Sequence, residues 1–122
     1  MTSLSGRLTG IVLTVLLAGY VALALQTGQT LNSGIYTDVQ AMRGQSLYQK
    51  RCVTCHAANL AGRTGPPLSG DDFLSDWEAR PLLDLANKIL KTMPKDGTDP
   101  LTPNDSADLL AYILQMGKFP SG

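Results

Sequence analysis

Both cysteines of the chain, Cys52 and Cys55, and its only histidine, His56, fall within five consecutive residues of the stretch RCVTCHAANL, Arg51 to Leu60. Nothing else in the 122 residues constrains the fold as strongly. A small domain has a thin apolar core and gains from a staple. A bridge between Cys52 and Cys55 would close too small a loop to stabilise much. The staple must be something else.

The first quarter of the chain differs from the rest. Leu8 to Leu25 (LTGIVLTVLLAGYVALAL) carries no charge, follows Arg7, and holds the small-x-small pattern Ala22-Leu23-Ala24 near its end. This reads as a secretory signal peptide over residues 1–24 or an uncleaved membrane anchor. At 1.5 Å per residue the run reaches about 27 Å, barely a bilayer core. Either way the functional part is exported: periplasmic, soluble or tethered by residues 8–25. Residues 25–35, polar and Gly-rich without a period, read as a linker, and residues 36–122 as one domain. Without Arg7, nine Lys/Arg face ten Asp/Glu. No basic stripe suggests nucleic acid.

The domain reads as all-α with long loops. Thr37 and Gln40 form a capping-box pattern that opens a helix running into Cys52–His56. Ala57–Gly70 is punctuated by Gly and Pro and reads as loop. A short helix or turn follows in DDFLSDWEAR. After Pro81, a helix carries the apolar stripe Leu82, Leu85, Ala86, Ile89 and Leu90 and ends before Met93-Pro94. The last helix has Thr102 as cap, Pro103 at its first position and Asp105 in its first turn. Leu109, Leu110, Tyr112, Ile113 and Met116 supply its apolar face, and Gly117 fits its stop.

Three chemistries compete for Cys52-x-x-Cys55-His56. A structural zinc site needs four ligands, and adjacent Cys55 and His56 are poorly placed to share one ion. A redox dithiol sits after a strand at a helix N-terminus, whereas this motif ends a helix, where the dipole disfavours thiolate. The spacing is that of covalent haem c attachment. Two cysteines three apart face one side of a helical turn and can form thioethers, and His56 is then carried to the iron. With no second histidine, a methionine is the natural sixth ligand. Met1 lies in the leader, Met42 on the helix before the motif, and Met116 reads as core packing. Met93 ends an apolar helix directly before Pro94, which denies the helix continuation. A thioether opposite His raises the reduction potential and fills the sixth site.

With these residues in place the sequence resembles a class I cytochrome c from about Tyr36 to Phe119. GQSLYQKRCVTCH resembles the family's N-terminal helix, with Gly44 and Tyr48 at its glycine and aromatic positions. TGPPLSG resembles its Thr-Gly-Pro-x-Leu-x-Gly loop, and TMP (Thr92–Pro94) its axial-methionine loop. DLLAYIL resembles its C-terminal helix. The resemblance implies three to five helices around one covalent haem c, with Pro66 holding the ring of His56 through its carbonyl. It also implies that Tyr112 and Leu109 cross the first helix at Gly44. Met93 lies only 37 positions after His56. This short form, without a clustered lysine face, resembles small bacterial cytochromes that serve periplasmic quinoprotein dehydrogenases.

The expectation is one-electron transfer between a donor dehydrogenase and an acceptor oxidase or cytochrome, without enzymatic catalysis. The alternatives are a haem subunit tethered in a respiratory or dehydrogenase complex, and a peroxidase-like or gas-sensing protein with a labile sixth ligand. Cofactor contacts are expected from Cys52, Cys55, His56, Pro66, Leu68, Trp77 and Met93, with His56 and Met93 on the iron. Trp77 is placed either as a propionate donor or as a half-buried packing residue.

Overall fold

The computed structural model describes residues 28–122, which form five helices and, among the described residues, no strand. The helices are α1 (Asp38–Arg51), α2 (Val53–His56), α3 (Gly70–Trp77), α4 (Leu82–Thr92) and α5 (Pro103–Met116). The leader expected over residues 1–24 lies outside the described residues. None of the described helices is long and apolar enough to cross a membrane.

Local sequence sets the helix ends. The Thr37 hydroxyl accepts from the Gln40 backbone, and the Gln40 side chain accepts from the Thr37 N–H. Thr102 and Asp105 make the same reciprocal pair ahead of α5. Each pair satisfies two backbone donors that a helix start leaves open. The first helix does not run through the motif as the sequence suggested. It stops at Cys52, whose backbone (φ −121°, ψ −29°) leaves helical geometry, and a separate turn carries Cys55 and His56.

α5 is the centre of the domain and packs chiefly on α1 and then on α4. The α1–α5 crossing is close because Gly44 has no side chain. A Cβ there would lie 1.8 Å from the Asp108 carbonyl oxygen and 3.0 Å from the Tyr112 Cβ. One turn on, the rings of Tyr48 and Tyr112 meet at 5.2 Å between centroids, tilted by 54°, a favourable offset for aromatic pairs. Arg43 grips the buried Asp108 carboxylate with two bonds of 2.7 and 2.8 Å. The Ser106 hydroxyl donates to the Ala86 carbonyl at 2.7 Å and ties α5 to α4.

Two sequence expectations change here. The segment read as linker is packed from Gln29 onward: its carbonyl accepts from the Leu82 N–H at 2.8 Å, and Leu31 is 2% exposed. One apolar residue in a polar aperiodic stretch leaves no period to read. Met116, expected in the core, is 42% exposed. The chain turns through positive φ at Lys118 rather than at Gly117, and Phe119 folds back so that a Cβ on Gly117 would meet its ring at 2.7 Å. Phe119 is packed against the core alongside α5.

Candidate haem site

The site grows from the end of α1. The Cys52 carbonyl accepts from the N–H groups of Cys55 at 3.2 Å and His56 at 2.9 Å, so the motif forms one tight turn. Both thiols are free, with Cys52 half-buried and Cys55 exposed. Burial pushes the Cys52 thiol up to about 11; Arg51 opposes this and Cys55 adds to it. A thiol in that state is a poor nucleophile, which weighs against a redox dithiol.

Beyond His56 the chain reverses through Ala57 and Leu60, both non-glycine residues at positive φ (67° and 62°). Such a conformation costs about 1–2 kcal/mol per residue and needs outside support. Tyr48 supplies it at Ala57, donating its hydroxyl to the Ala57 carbonyl at 2.6 Å. At Leu60 support comes from complete burial and from the Leu68 N–H on its carbonyl at 2.8 Å. The loop then returns across the motif, and the Cys55 carbonyl accepts from Arg63 and Gly65 at 3.1 and 2.9 Å.

This loop fixes the imidazole. His56 Nδ1 lies 2.8 Å from the Pro66 carbonyl oxygen. A carbonyl only accepts, so Nδ1 carries a proton, and in the neutral imidazole the lone pair is then on Nε2. Gly65 lies against the same ring: a Cβ there would sit 2.8 Å from Cε1 and 3.0 Å from Nδ1. Two free thiols on one turn, followed by a buried histidine whose outward nitrogen is set free, fit a group bound covalently to both sulfurs and ligated by Nε2.

Of the other expected residues, Met93 caps α4 in extended conformation (φ −120°, ψ 147°), its N–H bonded to the Ile89 carbonyl at 3.1 Å. Cys52, Leu68, Trp77, Leu90 and Met93 are all half-buried against one apolar core, whereas Leu85 and Ile89 lie inside it. Pro66 is exposed, offering its carbonyl rather than its ring. Trp77 is half-buried beneath the Arg80 guanidinium, 4.4 Å from its ring centre. Arg80 also reaches Asp84 at 3.5 Å. Two open depressions elsewhere on the surface include none of Cys52, Cys55, His56 or Met93.

Sequence reasoning missed three contributors. Gly65 was visible within TGPPLSG, but its contact with the ring depends on how the loop folds back. The Tyr48–Ala57 bond was hidden because Tyr48 reads simply as a core aromatic. Arg51, directly before Cys52, donates to the backbone carbonyl of Asp99 and pairs with its carboxylate, with its own side chain only 13% exposed. This ties the motif to the segment that follows Met93. No local signal predicts that contact.

Among known proteins, the family model described as cytochrome c oxidase, cbb3-type, subunit III matches residues 39–113. Cytochrome c-551 of Bacillus subtilis (strain 168) is 37% identical over 55% of this chain and 59% of its own length. The cytochrome bc1 complex cytochrome c subunit of Corynebacterium diphtheriae is 30% identical over 84% of this chain and 36% of its own length. The similarity therefore spans less than two thirds of the length of either relative. No solved structure gives a significant match. The family match takes in more than half of the chain and runs from the first turn of α1 into α5, the two cysteines and the histidine included: the chain belongs to the cytochrome c family, as a class I cytochrome c with covalently bound haem c and its iron.

Proposed function

We propose that the domain carries single electrons between exported redox proteins, with Cys52 and Cys55 as thioether tethers and His56 Nε2 and Met93 Sδ as the iron ligands. When bound, the haem supplies a one-electron ferric–ferrous couple. The observation that carries this reading is the fixed imidazole: the Pro66 carbonyl holds the proton of Nδ1 at 2.8 Å and Gly65 lets the loop close on the ring. A ligand set in advance needs little rearrangement when charge changes. Leu68, Trp77 and Leu90 are half-buried against the same apolar core as Cys52 and Met93. His56, the only histidine, is taken by ligation and is not free for acid–base work. Reduced protein should show the sharp α band of a haem c, and the ferric form the weak far-red band of a methionine–iron bond. Met93→Ala should remove the far-red band and leave the haem attached. Persistence of that band in the variant means another residue is the ligand.

A second reading is a haem subunit tethered within a respiratory complex. It is favoured by the bc1 complex subunit, whose similarity covers 84% of this chain, and by the uncharged run Leu8–Leu25. On this reading a quinol-oxidising complex or a terminal oxidase is the partner. The intact mass of the exported holoprotein tests it: a mass lacking Met1–Ala24 removes the tether.

A further inference from the structure

We propose that the face formed by the start of the described chain and α4, carrying Ile35 and Leu83, rests on the surface of a lipid bilayer; this rests on the tethered reading above. The packed strap is the first observation. Residues 29–36 are not a free linker: the Gln29 carbonyl is bonded to Leu82, and Leu31 is buried. At the other end, the Tyr36 hydroxyl donates to the Phe119 carbonyl and the Gly122 N–H to the Tyr36 carbonyl, both at 2.8 Å. A tether joined to such a strap holds the domain in one orientation.

The second observation is what lies where the strap begins. Gln29 borders a shallow groove of about 200 Å³ between the strap, α4 and α5, lined by Ile35, Tyr36, Leu82, Leu83 and Leu110 among others and by no charged residue. Leu83 is 66% and Ile35 45% exposed, unusual for such side chains in the same groove. The acidic residues nearest in sequence are engaged, Asp38 by Gln115 at 3.3 Å and Asp84 by Arg80 at 3.5 Å. None of the candidate haem-site residues lines the groove.

The third observation is reach. Only Gln26, Thr27 and Gly28 separate the uncharged run ending at Leu25 from Gln29, so Gln29 begins within roughly 10–15 Å of the end of that run even in a fully extended chain. The bc1 complex subunit matches 84% of this chain, a larger share than residues 28–122 make up, so its similarity extends into the residues before Gly28. Two exposed apolar side chains and a shallow groove are too small a patch to hold a protein on a membrane alone. A short tether raises the local concentration of lipid to the millimolar range or above, where a weak patch is occupied. The strap thus converts a tether into a fixed attitude, with the groove on the lipid and the haem site left to partners.

The full-length holoprotein tests this after reconstitution in phosphatidylethanolamine–phosphatidylglycerol vesicles, with its intact mass recorded first. Nitroxide labels are placed at Leu83→Cys, at Ile35→Cys and, as a control on α3, at Asp72→Cys. Collisions with oxygen, which partitions into lipid, and with a nickel chelate, which stays in water, are compared. The oxygen-to-nickel ratio should be several-fold higher at positions 83 and 35 than at 72. Equal ratios at all three positions, with the mass intact, overturn the proposal and leave the tether standing. Labels at 83 and 35 shielded from both agents mean that a second copy or the leader covers the groove, which also overturns it. A mass lacking Met1–Ala24 overturns the tethered reading and this proposal together.

Discussion

Gly44→Ala places one methyl group where α1 and α5 touch backbone to backbone. The added Cβ would stand 1.8 Å from the Asp108 carbonyl oxygen and 2.5 Å from its carbon. No flexible side-chain end is there to give way, so the helices must separate by about 1.5 Å or more to reach ordinary contact. Overpacking of this kind costs about 1–3 kcal/mol. Separation also loosens the Tyr48–Tyr112 pair, a further ~0.5–1.5 kcal/mol. Arg43–Asp108 adds little, because the Arg43 side chain is 56% exposed and solvent screens the pair. Alanine returns about 1 kcal/mol through its better helix propensity. The net loss is about 2 kcal/mol, which lowers Tm by roughly 8–16 °C for a domain of this size. Thermal unfolding of the ferric holoprotein, followed by far-UV circular dichroism, measures it. A variant as stable as the parent, or more stable, refutes a crossing set by direct backbone contact.

Gly65→Ala should push the His56 ring off the Pro66 carbonyl, since the new Cβ would lie within 3.2 Å of three ring atoms; a shifted reduction potential or reduced haem loading is expected, and an unchanged spectrum and potential contradict the packing. Arg51→Ala should free the segment after Met93 and speed capture of added imidazole by the ferric protein, while Arg51→Lys should partly restore the parent rate. Arg43→Ala, eight residues earlier on α1, serves as control and should not speed capture. Hydrogen bonds from the Thr102 backbone and hydroxyl hold the Asp105 carboxyl below the usual carboxylate range. Its folded pKa is therefore lower than its unfolded one, and its contribution is complete above about pH 4 and lost as pH falls through the folded value. Asp105→Asn should flatten the acid side of the stability profile; an identical profile removes the capping box from the account.

What was legible in the sequence was whatever repeats with a helical period or closes within four residues. The caps at Thr37 and Thr102 are local hydrogen-bond patterns, and both helices begin where those patterns lie. The stripe Leu82–Leu85–Ile89 is periodic, and those residues are buried. The Cys52–His56 turn is a local motif, so its chemistry was readable even though the break at Cys52 was not: nothing in Arg51-Cys52-Val53 resembles a helix stop. Leu31 escaped because a single apolar residue has no period. Met116 was misplaced because periodicity gives a face but not where the neighbouring helices end. Glycines fell on both sides of the line. Gly44 was readable as a close approach because the resemblance to the family's N-terminal helix puts it at that helix's glycine position. Gly65 sits in a loop already rich in glycine and proline, where one more raises no question.

The contacts that escaped the sequence share one feature: each joins a residue flanking the Cys52–His56 turn, or the strap, to another segment of the chain. Tyr48 reaches Ala57, Arg51 reaches Asp99, and Gln29 reaches Leu82. In a small domain these few long-range ties decide which parts move together. Tyr48 places the hairpin after His56 on α1, so the histidine inherits the rigidity of the α1–α5 crossing. Arg51 places the segment after Met93 on the same helix end, so both expected ligand segments refer to one framework. Gly44 then matters to the haem as well as to the core, because the crossing it permits supports both ties. A substitution there should loosen His56 and Met93 together. Arg51→Ala should loosen Met93 alone, and comparing the two spectra separates the shared framework from the private tie.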